Sequence, residues 1–578
     1  MLSARSCPVA ALAAALLALP ACTEPDDDDD IFIGDDDTGD DDDSDEDYSD
    51  VLFDPDELVE VHIEIDPDDA DALASETTSI LDLVIGEDCL DDPLGMTFTW
   101  FEADVTVNGT TLEDVGIRKK GLIGSLSTSK PGLKLKFDKW VDGQFLHGVE
   151  RMTLNNAIAD PALVRQCLGY QLFVDAGIAA PRCNYAHVTV NEWDMGVYVN
   201  VEPVKKDFLR RNYPDDDGDL YEGTLSDFRE GWIGTFEPKT DDTDPDHGIL
   251  HDVVEALESP DDELRDALGS RIDLDNFTTF WAMEVLVAHM DGYAGNTNNY
   301  FVYRDPTTDL ITFIPWGIDA IFHHYEVWGF NTADAVLANG VLANRLFFHD
   351  ELGDEYLARL ESLLDEVWDE DALLDEVDRM SAVVDPAALP DPWREDSLDE
   401  LRVFITERRE IIQESLDAGP TWDLPAAESP CLAEMGTLEV TFDTTWDTLG
   451  TPDPLNTGVG TIGGTWDGEP LPTVEGGAIA GETGGSAGIA ALGLSSPTEA
   501  VEAAVLFELT AVEPGTYFLD LGMRVGYYMT LDLETEDDFQ FKAYVAQGDL
   551  VLEEASAVDG APIRGTFNGD LLVPVTEL

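Results

Sequence analysis

Apolar and polar positions alternate in short runs over the first third of the chain, fall at helical spacing through the middle, and return to alternation near the end. Residues 59–65 (VEVHIEI), 97–107, 112–120 and 133–137 are alternating or β-branched and predict strands, with Asn108-Gly109 as a hairpin turn between two of them. Asp160-Pro161 has the form of an N-cap and first helical residue; Leu163, Val164, Cys167, Leu168 and Leu172 then follow at helical spacing until Gly177. Strands are predicted again at 187–190 and 197–201, a second helix at 274–289, and two more strands at 300–303 and 310–315. Helical spacing then runs to about Ala418. Strands first and helices later predict an α+β domain of two unequal lobes. Past Gly419, Gly and Thr become dense, and the runs 437–442, 501–509, 516–521 and 539–546 are separated by turn residues, which predicts an all-β, sandwich-like or barrel domain.

The first residues break this pattern. Arg5, an apolar run over 9–19, and Ala21 before Cys22 form a secretory signal. Leu19-Pro20-Ala21-Cys22 resembles a bacterial lipobox, so Cys22 is the expected lipidation site, against the alternative of a plain secreted protein. From Thr23 to Asp50 the chain is almost wholly acidic and cannot collapse; it fits a solvated spacer better than a calcium cage. The expected organisation is a signal at 1–22, a tether at 23–52, a first folded domain at 53–420 and the β-rich domain at 421–578. The place implied is the bacterial cell envelope, outer membrane or cell surface, with membrane contact only through the N-terminal lipid. Cys89, Cys167, Cys183 and Cys431 remain for the folded part, with three possible pairings.

Charge sharpens the picture. Among 578 residues, 30 Lys and Arg stand against 123 Asp and Glu, a net charge of −93. That excludes a nucleic-acid binder and adhesion to anionic lipid by charge. No Lys or Arg occurs between Arg5 and Arg118, after which Arg118, Lys119, Lys120, Lys130, Lys134, Lys136 and Lys139 fall within 22 residues. Such concentration in an acidic chain fits a local anion site. Gly121, Gly124 and Ser125 lie in a small-residue loop that lets backbone N–H groups approach phosphates, and Lys134 and Lys136 share one strand face. The bland alternative is a basic edge strand guarded against aggregation.

A second constellation favours the anion site. His289-Met290-Asp291-Gly292-Tyr293-Ala294-Gly295-Asn296-Thr297-Asn298-Asn299-Tyr300 begins at a helix end and enters a strand, and Asp319 follows the next strand. Phosphoryl transfer needs an Asp to orient the acceptor hydroxyl, an Asn to hold metal, and a further Asp bridging metal to phosphate. Asp291, Asn296 and Asp319 have that order.

These segments resemble the CotH kinase family. The resemblance rests on Gly116-Ile117-Arg118-Lys119-Lys120-Gly121, the Lys-rich strand at 133–137, Leu154-Asn155-Asn156 with Asp160-Pro161 and Arg165, Gly196-Val197-Tyr198 with Glu202, the Asp291–Tyr300 block and Pro315-Trp316 with Asp319. It covers about residues 58–414. It implies an atypical two-lobed protein-kinase-like fold that phosphorylates Ser or Thr of extracytoplasmic proteins with ATP and Mg²⁺ or Mn²⁺. By resemblance, Lys134 or Lys136 contacts the nucleotide phosphates, with Arg118, Gly121, Gly124 and Ser125 beside them. Asp291 orients the acceptor, Asn296 and Asp319 hold the metal, and Glu202 lies near the nucleotide at the hinge between lobes.

Three departures stand out: Gln166 where relatives often carry Glu, Gly317 where they often carry Asp, and a loop after Gly121 without their Asn-Ser-Ser. They leave open a rival reading, a kinase fold without turnover serving as a surface adhesin or coat-assembly scaffold. The acidic surface implies a basic, Ser-rich protein substrate. Asp215-Asp216-Asp217-Gly218-Asp219 with Glu222 hints at calcium, but Gly is misplaced for an EF-hand and a solvated loop is the better reading. The β-rich domain shows nothing catalytic and fits a surface-presentation or partner-binding module.

Overall fold

The computed structural model describes residues 49–575, apart from 79–80, 87, 95–97, 122–125, 241–242, 325, 328–329, 425, 427–428, 450, 452–455, 484–485, 495–501, 510–511, 520–524 and 532–538. Cys22, Gly124 and Ser125 therefore lie outside the described residues. The chain forms two compact units, one of residues 90–427 with the stretch up to Thr78, the other of Glu428–Leu578 with Ser79–Cys89. The architecture is α+β followed by an all-β region. No helix among the described residues is long and apolar enough to cross a membrane.

The first unit opens with strands β1 (Leu58–Ile65), β2 (Phe101–Val107), β3 (Thr110–Lys120), β4 (Gly132–Lys136), β5 (Arg151–Asn155), β6 (Cys183–Val190) and β7 (Trp193–Val201). They close into a barrel of order β1-β2-β3-β4-β5-β7-β6, antiparallel except where β6 runs parallel to β1. Asn108 and Gly109 both take positive φ, as the two-residue hairpin requires. Alternation decides what fills the barrel. Val59, Val61, Ile63, Val115, Ile117, Leu133, Leu135 and Leu154 belong to one buried cluster, which turns Lys134 and Lys136 to the other face of β4.

Below the barrel, β8 (Asp219–Gly223), β9 (Phe236–Pro238), β10 (Tyr300–Asp305) and β11 (Leu310–Pro315) form a sheet of order β11-β10-β8-β9. It packs with helices into a single core that includes α1 (Arg165–Asp175), α2 (Leu274–Leu286), α3 (Tyr293–Asn296), α4 (Val341–Phe347) and α5 (Arg394–Ala418). The second unit is a ten-stranded antiparallel sheet with its own core of Val440, Phe442, Phe507 and Phe567 among others.

Three details differ from the sequence-based expectations. Ser49–Leu52, assigned to the tether, are folded: Leu52 joins the barrel core, and Arg182 bonds Asp50 (2.7 Å) and Ser49 (2.9 Å). Ser79–Cys89 belongs with the C-terminal unit because Cys89 is disulfide-bonded to Cys431, Ile85 pairs with Leu432, and Gly86 N–H donates to the Leu432 carbonyl (3.0 Å). The second disulfide joins Cys167 to Cys183.

The third concerns Asp160, which does not cap a helix. Helix α1 starts at Arg165 after Val164, and Asp160 Oδ2 instead accepts the Arg165 backbone N–H (2.8 Å). The Arg165 Nε lies 3.5 Å from Asp160 Oδ1, and both side chains are buried. Its guanidinium donates further to the carbonyls of Ile321 (3.2 Å) and Phe322 (2.8 Å) and to Ser397 O (3.0 Å). One fork thus ties α1, the segment after Asp319 and α5 together. Burial raises the Asp160 pKa, opposed by the Arg165 charge. Arg165→Ala should therefore cost about 3–5 kcal/mol, because it strands a buried carboxylate and three carbonyls. Urea unfolding checks this; a loss below about 1 kcal/mol, the level of a surface pair, would show that the fork bears no such role.

Candidate active site

The segment between α2 and β10 is a turn built from buried polar contacts. Glu284, fully buried near the end of α2, accepts the backbone N–H groups of Tyr293 and Ala294, both at 2.8 Å. Tyr293 donates its hydroxyl to Asp227 (3.0 Å) and accepts the Leu342 N–H (2.9 Å), while Asp227 Oδ2 accepts the Val341 N–H (2.9 Å). These carboxylates fix the loop to the start of α4 by charge-assisted bonds. Asp291 is held inside that frame. Its Oδ1 accepts from Asn296 (2.7 Å) and Asn298 (3.3 Å), and its Oδ2 from Asn299 (2.7 Å).

Asp319 arrives from β11 and is 3% exposed. Burial raises its pKa to about 7; the Lys120 charge pulls it down and the Asp160 charge pushes it up. Asp291 is raised well above the usual carboxylate range by burial, with its amide donors opposing and the Asp319 charge adding to the rise. Two buried carboxylates therefore sense one another. Among the described residues, Asp319 Oδ1 and Asn299 Oδ1 are buried acceptors without a hydrogen-bond partner. Unpaired hard oxygen donors beside two carboxylates that resist ionisation fit a divalent cation such as Mg²⁺.

Lys120 is the lysine of this centre. Its ammonium donates to Asn155 Oδ1, and Asn155 donates to Gln166 Oε1 (2.9 Å), so Gln166, standing where relatives often carry Glu, connects to Lys120 through Asn155. Lys134 and Lys136 instead line a cleft with Trp100, Val204, Phe301 and Trp316. Arg118 is buried and stacks over Trp100, its guanidinium 4.7 Å from the ring centre. Gly121 directly follows β3. The Glu202 carboxylate is held by Arg182 (2.7 Å) and Arg211 (2.5 Å), and the residues after it, Pro203, Val204 and Lys205, line the cleft.

Residues 117–416, more than half of the chain, match the model of the family described as CotH kinase protein. The chain belongs to that family. It is 25% identical to inner spore coat protein H of Bacillus subtilis over 298 residues, 46% of this chain and 79% of that protein. It is also 25% identical to spore coat protein homolog 1 of Rhizopus delemar over 247 residues, covering 38% of this chain and 40% of the fungal protein. Two solved structures are similar at low level. One is HipA in the Shewanella oneidensis toxin–antitoxin complex with HipB and operator DNA (TM-score 0.28, 11% identity, 63% of this chain and 74% of that one). The other is the Helicobacter pylori proinflammatory kinase CtkA (TM-score 0.25, 10% identity, 50% and 91%).

Within this CotH kinase family member, the acidic loop at 215–217 brings carboxylate oxygens within 4.8 Å of one another, but Asp216 pairs with Arg210 (3.0 Å) and Asp217 with Lys206 (3.1 Å). Glu222 is not part of that group. Sequence reasoning gave no role to Asn299, Glu284 or Asp227; the Asn run in the Asp291–Tyr300 block was the signal for the first, and nothing local marked the other two.

Gly317 has φ +54, and a Cβ there would collide with the Asn299 amide that contacts Asp291. Gly317→Ala should therefore lose about 1–2 kcal/mol from backbone strain alone, plus the cost of displacing Asn299. In urea unfolding, combination with Asn299→Ala should recover the displacement part, leaving the strain. Full additivity of the two changes would show that the residues do not couple.

Proposed function

We propose that this chain is an extracytoplasmic protein kinase that transfers the γ-phosphoryl group of ATP to Ser or Thr hydroxyls of surface or coat proteins. One observation carries the reading: a lysine-lined cleft and a buried Asp291–Asp319 pair with unpartnered oxygen donors occur in the same unit of a CotH kinase family member. Lys134 or Lys136 would meet the phosphates, and Lys120 offers the positive charge beside Asp319. Asp319, with Asn296 and the Asn299 oxygen, would hold Mg²⁺ or Mn²⁺, which when bound neutralises phosphate charge. Asp291 would take the proton of the acceptor hydroxyl, and burial raises its affinity for that proton. The hydroxyl oxygen bonds to Pγ as the bond from Pγ to the β–γ bridging oxygen breaks, and ADP leaves. Attachment through Cys22 and the acidic tether would hold the enzyme outside the membrane, and two relatives named for spore coats support a coat-associated or extracellular setting.

The test is phosphate incorporation from labelled ATP with Mg²⁺ or Mn²⁺ into a basic, Ser-rich protein. Incorporation should vanish in Asp319→Ala and fall by about 100-fold or more in Lys120→Met. Incorporation that survives Asp319→Ala would place the chemistry elsewhere. ATP-dependent stabilisation without any incorporation would leave a nucleotide-binding scaffold.

A further inference from the structure

One polar group in the cleft has no task in phosphate or metal chemistry. Glu222 on β8 is 3% exposed and lines the cleft with Lys134, Lys136, Phe301 and Trp316. Its Oε2 pairs with the Lys239 ammonium at 2.8 Å, and that ammonium also meets Glu237 Oε1 at 3.1 Å. Lys205, in the stretch after Glu202, donates to the Lys239 carbonyl (2.8 Å) and so ties the hinge to this pair. Glu222 Oε1, by contrast, is buried without a hydrogen-bond partner among the described residues.

A buried carboxylate oxygen without a donor is a defect unless a ligand completes it. The ionised phosphates of a nucleotide offer only acceptors, and a carboxylate repels them. Glu222 therefore suits the nucleoside part, whose donors are the ribose hydroxyls and the amino group of the base. The neighbours favour the base. Phe301 stands opposite Glu222 across the β8–β10 ladder, and Trp316 meets Phe301 edge to face with ring centres 5.5 Å apart. Flat apolar surface beside a single buried acceptor is the environment of a planar heterocycle with a donor at its edge.

We propose that Glu222 is a specificity-determining residue that accepts a hydrogen bond from the exocyclic amino group of adenine, with Lys239 holding the carboxylate in place. The inference rests on the reading of this cleft as a nucleotide site. Guanine carries a carbonyl where adenine carries the amino group, so Glu222 Oε1 would face an acceptor and reject it.

The experiment is equilibrium binding, by calorimetry, to the full chain in Mg²⁺ of four triphosphates: ATP, 2′-deoxy-ATP, GTP, and purine riboside triphosphate, which is ATP without the amino group. ATP should bind about 10- to 100-fold more tightly than GTP or the deaminated analogue, the range for a lost bond to a charged acceptor. Removal of the 2′-hydroxyl should change little. In Glu222→Gln, Lys239 claims the one remaining oxygen and the amide N–H₂ faces the base, so the preference for ATP over GTP should collapse or invert. Equal wild-type affinity for ATP and its deaminated analogue would overturn the proposal without recourse to any variant. So would a loss confined to 2′-deoxy-ATP, which would assign Glu222 to the ribose, or an ATP-to-GTP ratio unchanged in Glu222→Gln. If the wild type binds none of the four, the nucleotide-site reading itself fails and this inference with it; binding of ATP without discrimination fails this inference alone.

Discussion

Two carboxylates, Asp291 and Asp319, are buried within each other's electrostatic reach, and much of the first unit can be understood as the means of keeping them there. Moving a charge out of water is costly unless hydrogen bonds or opposite charge replace the lost hydration. Here the replacements are short-range and specific. Asn296, Asn298 and Asn299 give Asp291 three amide donors, and Lys120 gives Asp319 a nearby positive charge. The loop that carries Asp291 cannot relax to spread the charges, because Glu284 holds two of its backbone N–H groups and Asp227 holds Tyr293. A site held in this way is pre-organised, its polar groups fixed by the fold rather than by a ligand.

Distant elements contribute through guanidinium forks. Arg165 reaches the carbonyls just beyond Asp319 from the start of α1, and Arg408 on α5 donates to the carbonyls of Val285, Leu286 and Thr332. Both are fully buried. A chain with only 30 cationic side chains in 578 residues thus places several of them inside, as multi-donor clamps on backbone oxygen. An arginine suits that role better than a lysine, because its planar fork satisfies several acceptors at once. The barrel above adds rigidity of another kind: alternation on β3 and β4 fills its interior with Ile117, Leu133 and Leu135 and leaves Lys134 and Lys136 for the cleft.

Much of this was legible in the sequence wherever the signal was local. Period-two alternation located six of the seven barrel strands within a few residues and missed β5 at Arg151–Asn155, and the Asn-Gly pair located a hairpin. The Asp291 and Asp319 blocks stood out because their residue types and order fit phosphoryl transfer, and the structure buries the two carboxylates within reach of one another. The failures share a cause. Asp160 before Pro161 has the same local form whether the carboxylate caps a helix or pairs with a buried Arg165, and only the fold decides between them. Lys120 and Lys134 lie on adjacent strands of one basic stretch, and which reaches Asp319 depends on strand pairing rather than spacing. Cys89 pairs with a cysteine 342 residues away, a separation at which composition says nothing. Glu222 looked like the tail of an acidic loop, yet the strand after Gly218 turns it inward onto Lys239.

The departure at Gly317 follows the same electrostatic logic. The family pattern often has a carboxylate there, close to Asp319 in sequence. In this chain Gly317, which has no Cβ, leaves room for the Asn299 amide, whose Oδ1 is a neutral, buried and unpartnered oxygen. Asp291 and Asp319 already raise the cost of ionisation, so a neutral acceptor adds a potential ligand without adding repulsion. Asn299 is also the residue whose amide nitrogen holds Asp291 Oδ2. One side chain therefore joins the two acidic positions, and the loss of an acid at 317 is coupled to the support of the acid at 291.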